Sequence, residues 1–134
     1  MTKAFGCTGL KIPLPGRWQL EFWYCPGGAE IPLHVHERVA GWIWLLAGKM
    51  KWQVNDRVRE VKGLFRRRQT NGDLALSAQK IDRGVVHGGE VTGRFGLFVN
   101  VERWIGQKKS AADDLVLVAR ARSGRVHKRG VSRE

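Results

Sequence analysis

The chain has 134 residues, 43% of them hydrophobic and 27% charged, a length that fits one domain and a balance that excludes a disordered chain. Twenty-four Lys and Arg oppose twelve Asp and Glu for a net charge of +12, which excludes an acidic tail-like protein and makes polyanions a partner class to weigh. Seventeen glycines favour the tight turns of β architecture over a helical bundle.

Residues 1–16 read as an N-terminal arm. The segment MTKAFGCTGLKIPLPG has no unbroken apolar stretch after Lys3, so it does not read as a secretory signal. Cys7 and Cys25 are too few for a disulfide framework, and a pair of free thiols in a reducing compartment is the simpler expectation. From Arg17 to Cys25, Leu20, Phe22 and Tyr24 alternate with Gln19, Glu21 and Trp23, the period of a strand. Pro26-Gly27-Gly28 breaks it as a turn. Ile31 to His36 is a second strand, and Ala40 to Ala47 an apolar run suited to a strand buried on both faces. The run Val39 to Gly48 is too short to span a bilayer, so no membrane partner is expected. Gly48-Lys49 reads as a turn into Met50 to Val54, and Asn55-Asp56 as the turn of a hairpin with Arg57 to Val61. Lys62 to Gly72 is a basic loop carrying Arg66, Arg67 and Arg68. Asp73 to Ser77, Val85 to His87 and Phe95 to Glu102 supply further strands. From Ser110 to Arg122 the pattern suits a helix with Asp113 and Asp114 in its first turn, but Leu115 to Val118 suits a strand equally. Residues 17–105 thus make a body of short strands, an antiparallel sandwich or barrel, and 106–134 an extension, basic from 120 onward through Arg120, Arg122, Arg125, Lys128 and Arg129. His127 reads as a solvated residue of that tail.

The tripeptide His34-Val35-His36 carries the chemistry. On a strand, residues i and i+2 face one side, so both imidazoles project together and Val35 opposite. Their Cα atoms then lie roughly 6.5 Å apart, and two ring nitrogens can converge on one ion at about 2.0–2.2 Å. The same spacing occurs on solvated strands, so the tripeptide by itself leaves both readings open.

Gly28, five residues, His34, one residue, His36 and, further on, Gly48 fall at the spacing of the first motif of the cupin family. Gly72-Asp73 and Asp82-Arg83-Gly84-Val85-Val86-His87 resemble the second motif, with Gly84 on its glycine and His87 on the third metal-ligand position. The resemblance spans Trp18 to Val101. It implies an all-β fold, the double-stranded β-helix or jelly-roll barrel, with a ligand pocket inside. It also implies that His34, His36 and His87 meet on a divalent transition metal. Neutral imidazoles suit Zn, Fe, Ni or Cu rather than Mg or Ca; the alternative is a pocket that the histidines line without an ion.

The chain departs from the motifs in four places. The acid position of the first motif is Gly41, the proline of the second is Asp82, four extra residues lie between Gly72 and Asp82, and Val91 stands where the closing Asn belongs. Strand alternation turns Glu37 away from the histidines, and Glu30 lies about 13 Å from His34 along an extended strand. Three imidazoles without a carboxylate are therefore expected, with open positions for water or substrate.

The resemblance implies chemistry on a small molecule, oxygenation or isomerisation among the options. Glu102, Glu21 and Tyr24 are the general bases that strand geometry could turn inward. A non-catalytic assembly role, as in a phage particle, needs the fold but no metal. Arg66 to Arg68 and the basic tail offer salt-dependent contact to nucleic acid. Trp42 and Trp44 share a strand face and, with Trp52, suggest an apolar contact between subunits of a homo-oligomer. The expected location is the cytoplasm, or a virion if the chain is phage-encoded.

Overall fold

The computed structural model describes residues 1–65, 77–106, 108, 114–119 and 127–130. Ten strands and no helical element run through them: β1 Thr2–Ala4, β2 Cys7–Pro13, β3 Trp18–Pro26, β4 Glu30–His36, β5 Val39–Val54, β6 Arg57–Lys62, β7 Ala78–Ile81, β8 His87–Trp104, β9 Leu115–Ala119 and β10 His127–Gly130. All belong to one antiparallel sheet in the order β1-β2-β3-β8-β4-β9-β10, with β5 on the other flank of β8 and pairing β6 and β7 as well. The long strand β8 is the spine. β5 follows it from Val39 opposite Trp104 to Val54 opposite His87, while its other flank holds β4 near its start and β3 further on. A sheet wrapped in this way encloses its inner face instead of presenting two flat ones.

The inner face follows from register. Gln19, Glu21, Trp23 and Cys25 of β3 stand opposite Glu102, Asn100, Phe98 and Gly96 of β8, and β5 adds Gly41, Ile43 and Leu45 to the same rows. Trp23, Leu45, Met50, Trp52, Val61, Val91 and Phe98 form the buried core. In β3 the polar set of the alternation points in. Leu20, Phe22 and Tyr24 lie on the outer face, with Tyr24 49% exposed.

Strand β5 differs from its expected form. Its apolar run is not buried on both faces: Leu45 is inside, while Trp42 is 42% exposed on the outside and stacks on Trp44 with ring centroids 5.8 Å apart. Gly48-Lys49 is no turn but an irregularity within one 16-residue strand. Gly48 sits at φ +92°, a left-handed conformation, and a Cβ there would lie 2.0 Å from the Phe95 carbonyl oxygen. Only glycine meets both demands. The register shift between Leu45 and Ala47 inverts the parity downstream, so Met50 and Trp52 point inward. Trp52 is therefore core and not part of an outer tryptophan patch. The hairpin at Asn55-Asp56 is as expected, with Val54 opposite Arg57 and Asn55 at φ 53°.

Three further expectations are corrected. The first residues are paired strands, β1 on β2 and β2 on β3. Their register brings Cys7 beside Cys25 with Cα atoms 4.4 Å apart, and the two form a disulfide; they are not free thiols, because a non-hydrogen-bonded antiparallel pair has just that separation. Val85 and Val86 precede β8, which begins at His87. Leu115 to Ala119 is strand, held between β4 and β10, which is the strand alternative for this stretch. Gly72, Arg66, Arg67, Arg68, Arg120, Arg122, Arg125 and the strand expected from Asp73 lie wholly or largely outside the described residues.

Candidate metal centre and its cavity

His34 and His36 project from one face of β4, and β8 brings His87 opposite His34 in register. On its other flank β4 is paired to β9, with His34 opposite Leu117 and His36 opposite Leu115. All three rings are buried. Their centroids lie 4.2 Å (His34–His87), 4.9 Å (His34–His36) and 5.1 Å (His36–His87) apart. One ligand nitrogen of each falls within 4.8 Å of the others, so the three could hold one metal ion.

The ring orientations favour that use. His34 Nδ1–H donates to the Pro32 carbonyl at 2.7 Å and His87 Nδ1–H to the Val85 carbonyl at 3.0 Å. Each bond fixes the tautomer and leaves the Nε2 lone pair for a ligand bond. His36 Nδ1 is buried with no partner among the described residues. Burial first, then the charge of the neighbouring His87, lowers His34 to about 3. Burial also leads in holding His36 well below the ordinary 6.5, with the other two rings adding to it. His87 is lowered by burial against the opposing pull of its Val85 hydrogen bond. Three imidazoles kept neutral at physiological pH are the protonation state that a metal requires, and all-nitrogen ligation suits a borderline transition cation. No carboxylate joins the triad among the described residues: Glu30 and Glu37 are exposed.

The triad faces a cavity of about 110 Å³ whose apolar walls include Trp23, Ile43, Trp52 and Phe98. Its polar lining includes Asn100 and Glu102. Glu21 and Glu102 are 1% and 4% exposed. Gln19 Nε2 donates to Glu21 Oε2 and to Glu102 Oε2, both at 3.2 Å. Asn100 Nδ2 donates to Glu102 Oε1 at 3.2 Å, and Trp23 Nε1 to Glu21 Oε1 at 3.0 Å. Burial, then the Glu21 charge, raises Glu102 well above the usual 4.5, against the hydrogen bonds of Asn100 and Gln19. Of the three candidate bases, Tyr24 is thus outside the barrel, Glu21 is buried behind Gln19 and Trp23, and Glu102 reaches the cavity. Gln19 and Asn100 escaped sequence reasoning; their signal was parity with Glu21 and Glu102, usable only once the β3–β8 register is known.

No family model and no curated protein matches the chain. Solved structures do. KdgF from Halomonas sp. superposes with a TM-score of 0.64 at 12% identity, covering 78% of this chain and 84% of that one. An RmlC-like cupin from Shewanella frigidimarina gives 0.61 at 12%, covering 78% and 81%, and a predicted oxalate decarboxylase from Thermotoga maritima gives 0.51 at 21%, covering 64% and 65%. The chain has the cupin fold. On it, Gly28 lies in the turn before β4, Gly48 at the β5 irregularity, and Gly84 in the turn before β8, where its N–H donates to the His36 carbonyl at 3.0 Å. Gly41 is on the inner face opposite Glu102, and a Cβ there would meet the Val101 carbonyl oxygen at 1.9 Å. That contact, not chance, excludes a side chain. Of the basic residues, Lys128 and Arg129 fall on β10, opposite Val118 and Leu117.

Proposed function

We propose that this cupin binds one transition-metal ion, of the Zn, Fe, Ni or Cu class, through His34, His36 and His87, and holds a small molecule against it in the barrel cavity. The observation that carries the reading is the convergence of three buried, neutral imidazoles, two of them oriented by backbone carbonyls. Three protein ligands leave positions for water or substrate, and a bound ion supplies Lewis-acid or redox chemistry there. The protein's own part is to exclude water with Trp23, Ile43 and Phe98 and to orient the ligand with the polar groups of the lining. The names of structural neighbours, among them a predicted oxalate decarboxylase and DMSP lyases, are compatible with small-molecule chemistry in such a barrel.

Metal analysis of purified protein tests the reading. About one transition metal per chain is expected, and His34→Ala or His87→Ala should lose it while the protein keeps a cooperative unfolding transition. Metal-free wild type after incubation with each of the four cations overturns the proposal.

A second reading rests on a separate observation. The outer face of β2, β3, β8 and β5 sets Ile12, Leu20, Val101 and Trp42 in one cross-strand row and Leu10, Phe22, Val99 and Trp44 in the next. We propose that this apolar face pairs with a second copy of the chain.

A further inference from the structure

The cavity lining holds a second polar group besides the triad. Glu102 and Asn100 stand two residues apart on β8 and both line the cavity. Asn100 Nδ2 is committed to Glu102 Oε1, while Asn100 Oδ1 is buried and has no partner among the described residues. A buried acceptor without a donor carries an uncompensated desolvation penalty, and here it adjoins a space that a ligand can enter. Glu102 Oε2 takes the Gln19 amide, which belongs to the buried layer behind.

The histidine group has different chemistry. A divalent cation on three neutral imidazoles leaves a net positive centre, which attracts an anionic oxygen. The rest of the lining is largely aromatic and aliphatic, with the amides of Gln53 and Gln79 among it. The volume of about 110 Å³ is smaller than an engineered cavity of about 150 Å³ that takes benzene, so a ligand enclosed there is short. Gly41 contributes to this arrangement. Gly41 of β5, the residue opposite Glu102, carries no side chain.

From this geometry we infer that Glu102 and Asn100 form a binding pole for the hydroxyl group of a short hydroxy acid whose carboxylate lies at the histidine end. The inference rests on the metal reading above for the carboxylate end only. The hydroxyl donates to Asn100 Oδ1 and satisfies the orphaned acceptor, and the Glu102 carboxyl lies beside it to complete the contact. Glu102 is a positioning and specificity residue in this role.

Titration calorimetry of zinc-incubated protein with 3-hydroxybutyrate and with butyrate tests it. Wild type should bind the hydroxy acid about tenfold more tightly, the worth of one well-made buried hydrogen bond. Glu102→Gln, which keeps a donor and an acceptor in place, should retain the preference. Glu102→Leu and, as an independent variant, Asn100→Leu should reduce it to within about twofold. Equal affinity of the two acids for wild type, binding of neither, or an undiminished preference in whichever leucine variant folds overturns the inference. Metal content of the same samples separates the two ideas. Bound zinc without a hydroxyl preference removes the second pole alone. Zinc-free protein that still prefers the hydroxy acid removes the triad reading alone, and zinc-free protein without the preference removes both.

Discussion

At the scale of single residues, the interior holds two kinds of titratable group that respond to pH in opposite senses. Folded His34 takes up its proton only near pH 3, whereas the unfolded chain does so near 6.5. Between those values the unfolded state binds more protons, so stability is complete above about pH 6.5 and is lost as pH falls through the window. Each unit of separation is worth about 1.4 kcal/mol. Glu102 acts the other way: its folded carboxyl keeps a proton above the ordinary 4.5, so its contribution to stability declines as pH rises past that value. Metal-free wild type and Glu102→Gln should therefore have similar denaturation midpoints near pH 4, and the variant should be the more stable by a growing margin toward pH 8. Urea midpoints measured across that range check it. A constant offset between the two proteins would mean that Glu102 ionises in the fold as it does in the unfolded chain.

At the scale of elements, what was legible in the sequence was what depends on neighbours along one strand. The His34-Val35-His36 spacing on β4, the Asn55-Asp56 hairpin and the run from Phe95 to Glu102 each needed only local period and turn chemistry. What depends on register between strands was not legible. One extra residue near Leu46 reverses the parity of β5, so Trp42 and Trp52, which share parity in the sequence, end on opposite faces. The same lack of register concealed the Cys7–Cys25 pairing and left open which way Glu21 and Glu102 point. Burial of Gln19 and Glu21 in place of Leu20 and Phe22 runs against the usual hydrophobic-in rule, and only the hydrogen-bond network across β3 and β8 explains it. The glycines of these strands yield a graded prediction. Gly41→Ala should destabilise by more than about 3 kcal/mol, because its Cβ must displace a backbone carbonyl. Gly28→Ala, with φ +81° but nothing within 4 Å, should cost only about 1–2 kcal/mol for the left-handed backbone. Equal losses measured by denaturant unfolding would count against the close approach of β5 to β8 at Gly41.

At the scale of the whole molecule, the outer sheet face and the net charge of +12 make opposing demands on association. Burying Leu10, Ile12 and Trp42 against a second copy removes apolar area from water, worth about 25 cal/mol per Å². Bringing two strongly basic chains together costs repulsion that falls as salt screens it, with a Debye length of about 10 Å at 0.1 M and about 3 Å at 1 M. Self-association through this face should therefore hold or strengthen from 0.1 to 1 M NaCl. Attachment to nucleic acid through Arg66 to Arg68 and the basic tail should weaken steeply over the same range, since each neutralised phosphate releases counterions. One salt series thus separates the two proposed partners. Light scattering should show a mass of at least two chains at both salts, and Trp42→Lys should bring it to one by setting a charge on the apolar face, while the unfolding midpoint stays nearly unchanged because Trp42 is already 42% exposed. A monomer at 1 M salt would remove the apolar face as an interface. An assembly dispersed by salt would point instead to nucleic acid carried through purification, and nuclease treatment at 0.1 M should then disperse it equally well.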